Sequence, residues 1–151
     1  MKLIALVAVL FFANTYANAQ TINKDYDSVL AKKVNADANG MKRYYLVILK
    51  TGTANITDKA ISDSIFAGHM KNIQRLASEN KIVVAGPMGK NDKTYRGIFV
   101  LNTSSKEEAE KMVGTDPAVQ AKVFEAEYYP WYATAALMEI AGIHNKLQKE
   151  R

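Results

Sequence analysis

Residues 68–88 read GHMKNIQRLASENKIVVAGPM and join an amphipathic segment to a short apolar segment that ends in a Gly-Pro turn. Together with the residues before it, the amphipathic part places apolar side chains at spacings of four and three: Ile61, Ile65, Ile73 and Leu76. This periodicity predicts a helix from a cap at Thr57 or Asp58 to Asn80, followed by a strand over 82–85. His69 lies within the apolar stripe, which is an unusual position for a polar ring.

Three other apolar segments predict the remaining strands of one sheet. They cover residues 43–50, 94–101 and 123–131. A short helix over 106–113 is predicted to be capped by Thr103 or Ser104, and an amphipathic helix over 136–149 follows the last strand. The order β-α-β-β-α-β with an extra C-terminal helix predicts an α+β fold, a ferredoxin-like antiparallel sheet with both helices on one face. The other face of the sheet is expected to be open.

The fourth strand alternates between two kinds of side chain. Phe124, Ala126 and Tyr128 point to one side and suit packing against helices. The side chains on the opposite, open face are the candidate substrate-binding residues: Glu125, Glu127, Tyr129 and Trp131. The alternative is that the glutamates pair with Arg43 or Arg96 on neighbouring strands and that the aromatic residues anchor a dimer interface. A polar and aromatic open face favours a homodimer in which two sheets meet face to face.

Residues 1–19 have the composition of a secretory signal peptide. Lys2 precedes the apolar run 3–13, and small residues at Ala17 and Ala19 predict cleavage before Gln20. The run is shorter than the roughly 20 residues that a helix needs to span a bilayer, so a retained anchor is the less favoured alternative. We therefore expect an exported protein, secreted or periplasmic, without a stable membrane anchor. The chain has no cysteine, which excludes disulfides, thiol catalysis and cysteine-bound metal.

The rest of the chain is predicted to form one domain between two extensions. A polar N-terminal extension covers 20–41, the ferredoxin-fold domain covers 42–134, and the C-terminal helix covers 135–151. The extension is expected to hold a small helix and a plain turn over 35–40, because Leu46 stands where a calcium loop would need its closing glutamate. The net charge of +5 comes from lysines scattered among acids, which argues against a nucleic-acid surface. His144 is expected to be exposed, and no metal site is predicted.

The chain resembles the YCII-related domain of the dimeric α+β barrel superfamily over residues 41–140. The resemblance depends on the order and spacing of His69, the strand end 84–88, the helix start 107–109 and the segment 115–119. It implies an active-site pair formed by His69 and Asp116. Family members often carry an arginine about one turn before the histidine, where this chain has Phe66. Relatives in the superfamily include muconolactone isomerases and chloromuconolactone dehalogenases, so the resemblance implies acid-base chemistry on a small molecule without a bound cofactor.

A histidine that a carboxylate orients can serve as a general acid or base near neutral pH. We therefore expect a ring nitrogen of His69 within about 3 Å of a carboxylate oxygen of Asp116, with the other nitrogen facing a concavity. The alternative is a core histidine whose nitrogens are hydrogen-bonded because buried polar groups must be paired.

Two functions follow from these alternatives. The first is a cofactor-independent isomerase or lyase of the dehalogenase type, which acts on a small cyclic or aromatic acid through His69 and Asp116. The second is a non-catalytic module that binds a metabolite or serves dimerisation.

Overall fold

The computed structural model describes residues 23–149, so the predicted signal peptide and its cleavage site lie outside the described residues. The helices are α1 (Ser28–Lys33), α2 (Lys59–Ser78), α3 (Lys106–Val113), α4 (Pro117–Gln120) and α5 (Ile140–Leu147), with a 3₁₀ helix at Ala135–Glu139. The strands are β1 (Met41–Thr51), β2 (Ile82–Pro87), β3 (Tyr95–Leu101) and β4 (Phe124–Thr134). Within the described part of the chain, no helix is both long enough and apolar enough to cross a membrane.

The four strands form one antiparallel sheet in the order β2-β3-β1-β4. The two central strands are therefore β1 and β3, and the connections through α2 and α3 each pass over one intervening strand, as in a ferredoxin-like fold. The fold class predicted from the order of the elements is confirmed.

The main core lies between the sheet and helices α2 and α3. Its buried side chains are Val47, Leu49, Leu76, Ile82, Phe99, Leu101, Ala109 and Val113. Phe124, Ala126 and Tyr128 of β4 pack against this cluster, as their alternation predicts. Ile61, at the first turn of α2, is 52% exposed, so the predicted apolar stripe is buried only from the middle of the helix onward.

The C-terminal segment differs from the prediction of one helix over 136–149. It begins as a 3₁₀ helix and continues as α5, and Thr134 accepts the N–H of Ala136 at its start. The 3₁₀ helix brings Leu137 and Met138 against Tyr44 and Val100, on the face of the sheet that the sequence leaves open. This face is therefore partly covered by the chain's own C-terminal segment, because the tighter first turn directs these two side chains onto the sheet.

The N-terminal extension contains the expected small helix and turn. Asp27 caps α1, and a carboxylate oxygen of Asp37 accepts the N–H groups of Asn39 and Met41 in the turn before β1. The other oxygen accepts the hydroxyl of Tyr132 on β4. These contacts fix the turn against the end of the sheet.

The predicted cap of α3 is wrong by one or two residues. Ser105, and not Thr103 or Ser104, accepts the N–H of Glu108. The hydroxyl of Thr103 instead accepts the N–H of Ser105 and contacts the carboxylate of Glu108. Thr103 therefore supports the turn before the helix, where the same residue types serve equally well.

Gly52 lies where the loop after β1 passes close to the backbone that precedes β4. Its N–H donates to Val123 O at 2.8 Å, and a Cβ at this position would lie 2.1 Å from Lys122 O. Only glycine leaves room for this approach.

Candidate functional site

His69 and Asp116 meet between α2 and the short helix α4. Nδ1 of His69 lies 2.7 Å from Oδ2 of Asp116. Asp116 is the N-cap of α4, and its Oδ1 accepts the N–H of Ala118 at 2.9 Å. Its position before Pro117 explains the cap, because proline suits the first helical position and the residue before it takes an extended backbone. The side chain of Asp116 is fully buried and that of His69 is 11% exposed.

Three phenylalanine rings surround the imidazole of His69. Phe124 approaches it edge-on with ring centroids 5.3 Å apart, and Phe66 does so at 6.4 Å. Phe99 lies nearly parallel to it at 6.2 Å. Phe66 itself is 42% exposed, so the aromatic surroundings reach the protein surface along α2. The position where related sequences often have an arginine is thus part of an apolar wall.

Nε2 of His69 makes no hydrogen bond within residues 23–149. It is not fully enclosed by the protein, so it keeps access to solvent. Two cavities of the described chain, treated below, are lined by other residues. That Nε2 faces a concavity stays a prediction.

A second polar group next to this pair was not anticipated from the sequence. Asn72 is one turn after His69. Its Oδ1 accepts a hydrogen bond from Nη2 of Arg75 at 2.8 Å and another from the hydroxyl of Thr115 at 3.0 Å. These contacts hold the segment that carries Asp116 against α2. Nδ2 of Asn72 is buried without a partner among the described residues. The spacing of three from His69 is the signal that could have identified it.

The predicted substrate-binding residues lie on the opposite face of the sheet from His69. Phe124 faces the helices and contacts the imidazole, so its neighbour Glu125 and the alternate residues after it face the other way. Trp131 packs at 6.2 Å against Tyr44, which belongs to the cluster under the 3₁₀ helix. The structure thus brings His69 and Asp116 together and does not bring Glu125, Glu127, Tyr129 or Trp131 to them.

Glu127 forms a cross-strand ion pair, but with a different partner from the two arginines considered. Its carboxylate lies 2.7 Å from Nζ of Lys50 on β1 and accepts the hydroxyl of Tyr129 at 2.8 Å. The hydrogen bond from Lys50, followed by that from Tyr129, lowers the pKa of Glu127 below its ordinary value. Arg96 instead donates to the hydroxyl of Thr51 at 2.6 Å. Lys50 is favoured because it pairs with Glu125, two residues from Glu127, whereas Arg43 pairs with Tyr132 and Arg96 lies on β3, which is not beside β4.

Two cavities lie at the end of the sheet where β1 begins and β4 ends. Their volumes are ≈ 590 and ≈ 480 Å³, and they share Asp37, Arg43, Ser104 and Tyr132. They therefore form one continuous groove, which we name the Arg43 groove. Tyr132, which lines it, is eight residues further along β4 than Phe124, the strand residue beside His69. The groove therefore lies toward the opposite end of β4 from Phe124.

A solved structure and a family model match this chain. The 5-chloro-2-hydroxyhydroquinone dehydrochlorinase of Burkholderia phenoliruptrix AC1100, solved in complex with 2,5-dihydroxybenzoquinone, matches with 22% sequence identity and a TM-score of 0.41. The match covers 58% of this chain and 92% of that one. No curated protein matches the chain. The family described as the YCII-related domain matches residues 44–132, well over half of the sequence. This chain belongs to the YCII-related domain family.

Proposed function

We propose that this protein is a small-molecule-binding YCII domain in which His69 exchanges a proton with the bound molecule. The observation that carries the proposal is the 2.7 Å contact between Nδ1 of His69 and Oδ2 of Asp116. Asp116 is fully buried and its other oxygen is held by α4, so the imidazole is oriented by a rigid group. The same contact leaves Nε2 as the ring nitrogen that can act on a ligand.

The proton transfer follows from the two roles of the ring nitrogens. Asp116 accepts the Nδ1–H, so the lone pair of the neutral ring is on Nε2. Nε2 removes a proton from carbon as a general base, and the carboxylate of Asp116 stabilises the resulting imidazolium. In an isomerisation, the imidazolium returns this proton at another position of the substrate. In an elimination, it keeps the proton while a double bond forms and the leaving group departs with its electron pair.

The substrate class that fits this position is a small cyclic or aromatic acid. Phe66 and Phe124 present ring edges beside the imidazole, and Phe66 is partly exposed. A flat ring can contact such a surface while its C–H group meets Nε2. Proton transfer by a histidine needs no cofactor, and the proposal includes none. The substrate-binding role first predicted for the residues of β4 is not part of this site, since they lie across the sheet.

Homodimerisation is a separate proposal for the open face of the sheet. Tyr129 is 45% exposed and Trp131 is 39% exposed, and α5 leaves Ile143 and Leu147 exposed nearby in the chain. Burial of these side chains between two copies would remove a substantial apolar area from water. Light scattering at micromolar concentration is expected to give twice the mass of one chain, and a stable monomer would contradict the proposal.

Export also remains a proposal, motivated by the composition of residues 1–19. Mass spectrometry of the protein recovered outside the cytoplasm is expected to find an N-terminus near Gln20. A soluble protein that retains Met1 would contradict it.

The second candidate function is a module without catalytic activity. The observation that favours it is that Asp116 also caps α4, so its contact with His69 links two helices whether or not a ligand binds. Under this hypothesis, the imidazole is a buried partner of the carboxylate and the ligand, if any, binds elsewhere.

Hydrogen exchange into small molecules tests the two candidates. A panel of unsaturated cyclic carboxylic acids and phenols is incubated with the protein in D₂O, and loss of carbon-bound hydrogen is followed by proton NMR. The catalytic proposal predicts exchange that His69→Gln abolishes without a change in melting temperature, while Asp116→Asn, which can still cap α4, slows it. Absence of exchange across the panel, with a loss of about 1 to 3 kcal/mol of stability in His69→Gln, would favour the module.

A further inference from the structure

The Arg43 groove has polar groups whose hydrogen-bonding capacity is unevenly used. The carboxylate of Asp37 is bonded by the hydroxyl of Tyr132 and by two backbone N–H groups, and the carboxylate of Glu108 is bonded by Thr103. Arg43 and Lys42 have no ion-pair partner within residues 23–149, and the hydroxyl of Ser104 makes no hydrogen bond there. The groove thus holds two cations and two hydrogen-bonded carboxylates. Its groups without a partner in the described chain are the two cations, the hydroxyls of Ser104 and Tyr45 and the amide of Asn35, and the cations and hydroxyls can bind an anion.

The other half of the groove is aromatic and apolar. Tyr45, Pro130 and Trp131 line it next to Arg43. A guanidinium forms paired hydrogen bonds with a carboxylate, and flat aromatic side chains provide a contact surface for a ring. The volume of either cavity lies within the ordinary range for small-ligand sites, about 300 to 1,000 Å³. We propose that the Arg43 groove binds an aromatic carboxylate, with the carboxylate at Arg43 and Ser104 and the ring against Tyr45 and Pro130, which share the face of Arg43.

This site does not depend on the function proposed for His69. His69, Asp116 and the phenylalanine rings around the imidazole are not among the residues that line the groove. One wall of the groove comes from Asn35 and Asp37 of the N-terminal extension, and Lys42 and Arg43 also precede the region 44–132 that matches the family. The site thus combines residues of the shared domain with residues that precede it. It gives the extension a function beyond packing.

Titration of the purified protein with benzoate, followed by ¹⁵N NMR, tests the proposal. Trp131 is the only tryptophan of the chain, so its indole N–H signal reports on the groove without ambiguity. We expect saturable shifts of this signal and of the Ser104 amide at millimolar benzoate. Arg43→Gln is expected to weaken binding by about tenfold or more, since a charge-assisted pair is lost. Benzamide, which has the same ring and no charge, is expected to bind wild-type protein as weakly as benzoate binds the variant.

Controls separate this site from the candidate catalytic site and from general charge effects. Arg96→Gln removes an exposed arginine from another strand, so it should leave the benzoate-induced shift of the Ser104 amide as in wild-type protein. His69→Gln should leave this shift unchanged even if benzoate also binds at the imidazole. Ser104→Ala should weaken binding by less than Arg43→Gln. Equal affinity at the groove in wild-type protein and Arg43→Gln, absence of saturable shifts, or shifts confined to the surroundings of His69 would each overturn the proposal.

Discussion

The two ends of the sheet use polar side chains in opposite ways. Between α2 and α4, the contacts of His69, Asp116 and Asn72 are largely buried and link helices to each other. At the Arg43 groove, polar side chains are exposed and several have no partner in the described chain. Buried polar groups must be paired for the fold to be stable, so their pairing by itself says little about a ligand. Exposed polar groups without a protein partner are hydrogen-bonded by water, and they can exchange this water for a ligand without a loss of pairing inside the fold.

Removal of the buried carboxylate of Asp116 is expected to have the largest effect on stability. A small effect would contradict the contrast between the two ends of the sheet. Asp116→Ala removes the partner of His69 and the cap of α4 together, so we expect the free energy of unfolding to fall by about 3 kcal/mol. Urea denaturation measures the change. Asp116→Asn keeps a side-chain oxygen that can accept the N–H of Ala118, so its free energy of unfolding should fall by less. A loss below about 1 kcal/mol in Asp116→Ala would mean that the pair does little for stability, which would strengthen its functional interpretation.

A buried hydroxyl near the Arg43 groove sharpens the comparison. Tyr44 is 1% exposed, its hydroxyl donates to Thr134 O at 3.2 Å, and burial raises the pKa of Tyr44. Tyr44→Phe should lower the free energy of unfolding by about 1 kcal/mol, because the Thr134 carbonyl loses its donor. The same urea experiment measures it. If Tyr44→Phe lost as much free energy of unfolding as Asp116→Ala, the burial of a polar group, and not the end of the sheet at which it lies, would determine the effect of its removal.

The exposed contact between Asp37 and Tyr132 should affect the pKa of Asp37 and, through it, the dependence of stability on pH. The hydrogen bond from Tyr132, followed by those from the backbone N–H groups of Met41 and Asn39, lowers the pKa of Asp37 below its ordinary value of 3.8. A lowered carboxylate pKa stabilises the fold above the unfolded value, and this contribution is lost as pH falls through the folded value. Tyr132→Phe should therefore raise the pKa of Asp37 and reduce the loss of stability in acid. Carbon NMR of the Asp37 carboxyl measures the first effect; an unchanged pKa would contradict it.

The substitution with the smallest expected effect on stability lies on the open face of the sheet. Lys50→Met removes the first cause of the lowered pKa of Glu127, so that pKa should rise toward its ordinary value of 4.5. Because the pair is partly exposed, little change in unfolding midpoint at neutral pH is expected. NMR titration of the Glu127 carboxyl measures this pKa. Lys90→Met, which removes a lysine from an exposed loop, is the control. A pKa that stays low would identify Tyr129 as its main cause.

Much of the fold and the central contact could be predicted because they depend on local signals. The spacing of apolar residues located α2 and His69, and Pro117 marked Asp116 as the start of a helix. The alternation in β4 also placed Phe124 toward the helices, and it already implied that Trp131 faces away from His69. Within one chain, the β4 residues predicted to bind substrate thus lie on a different face from His69, and their binding role stays a prediction. A sequence pattern gives the face of a residue, and two residues share a site only if their faces agree.

The rest could not be predicted because it depends on distant parts of the chain meeting. The Arg43 groove combines the turn at Asp37, the start of β1, the loop at Ser104 and the end of β4, and no spacing in the sequence relates these segments. The C-terminal segment has an apolar spacing that fits both an α-helix and a 3₁₀ start. Packing of Leu137 and Met138 on the sheet selects between them.

The close approach at Gly52 has a consequence for how this chain can vary. Because its missing side chain lets two backbone segments touch seventy residues apart in sequence, position 52 controls where β4 begins and hence where the segment carrying Asp116 is held. In a library that randomises positions 50–54 and selects for folded protein, position 52 should return glycine alone while its neighbours vary. A residue with no side chain would then be the most restricted position in its loop, since what it contributes is empty space.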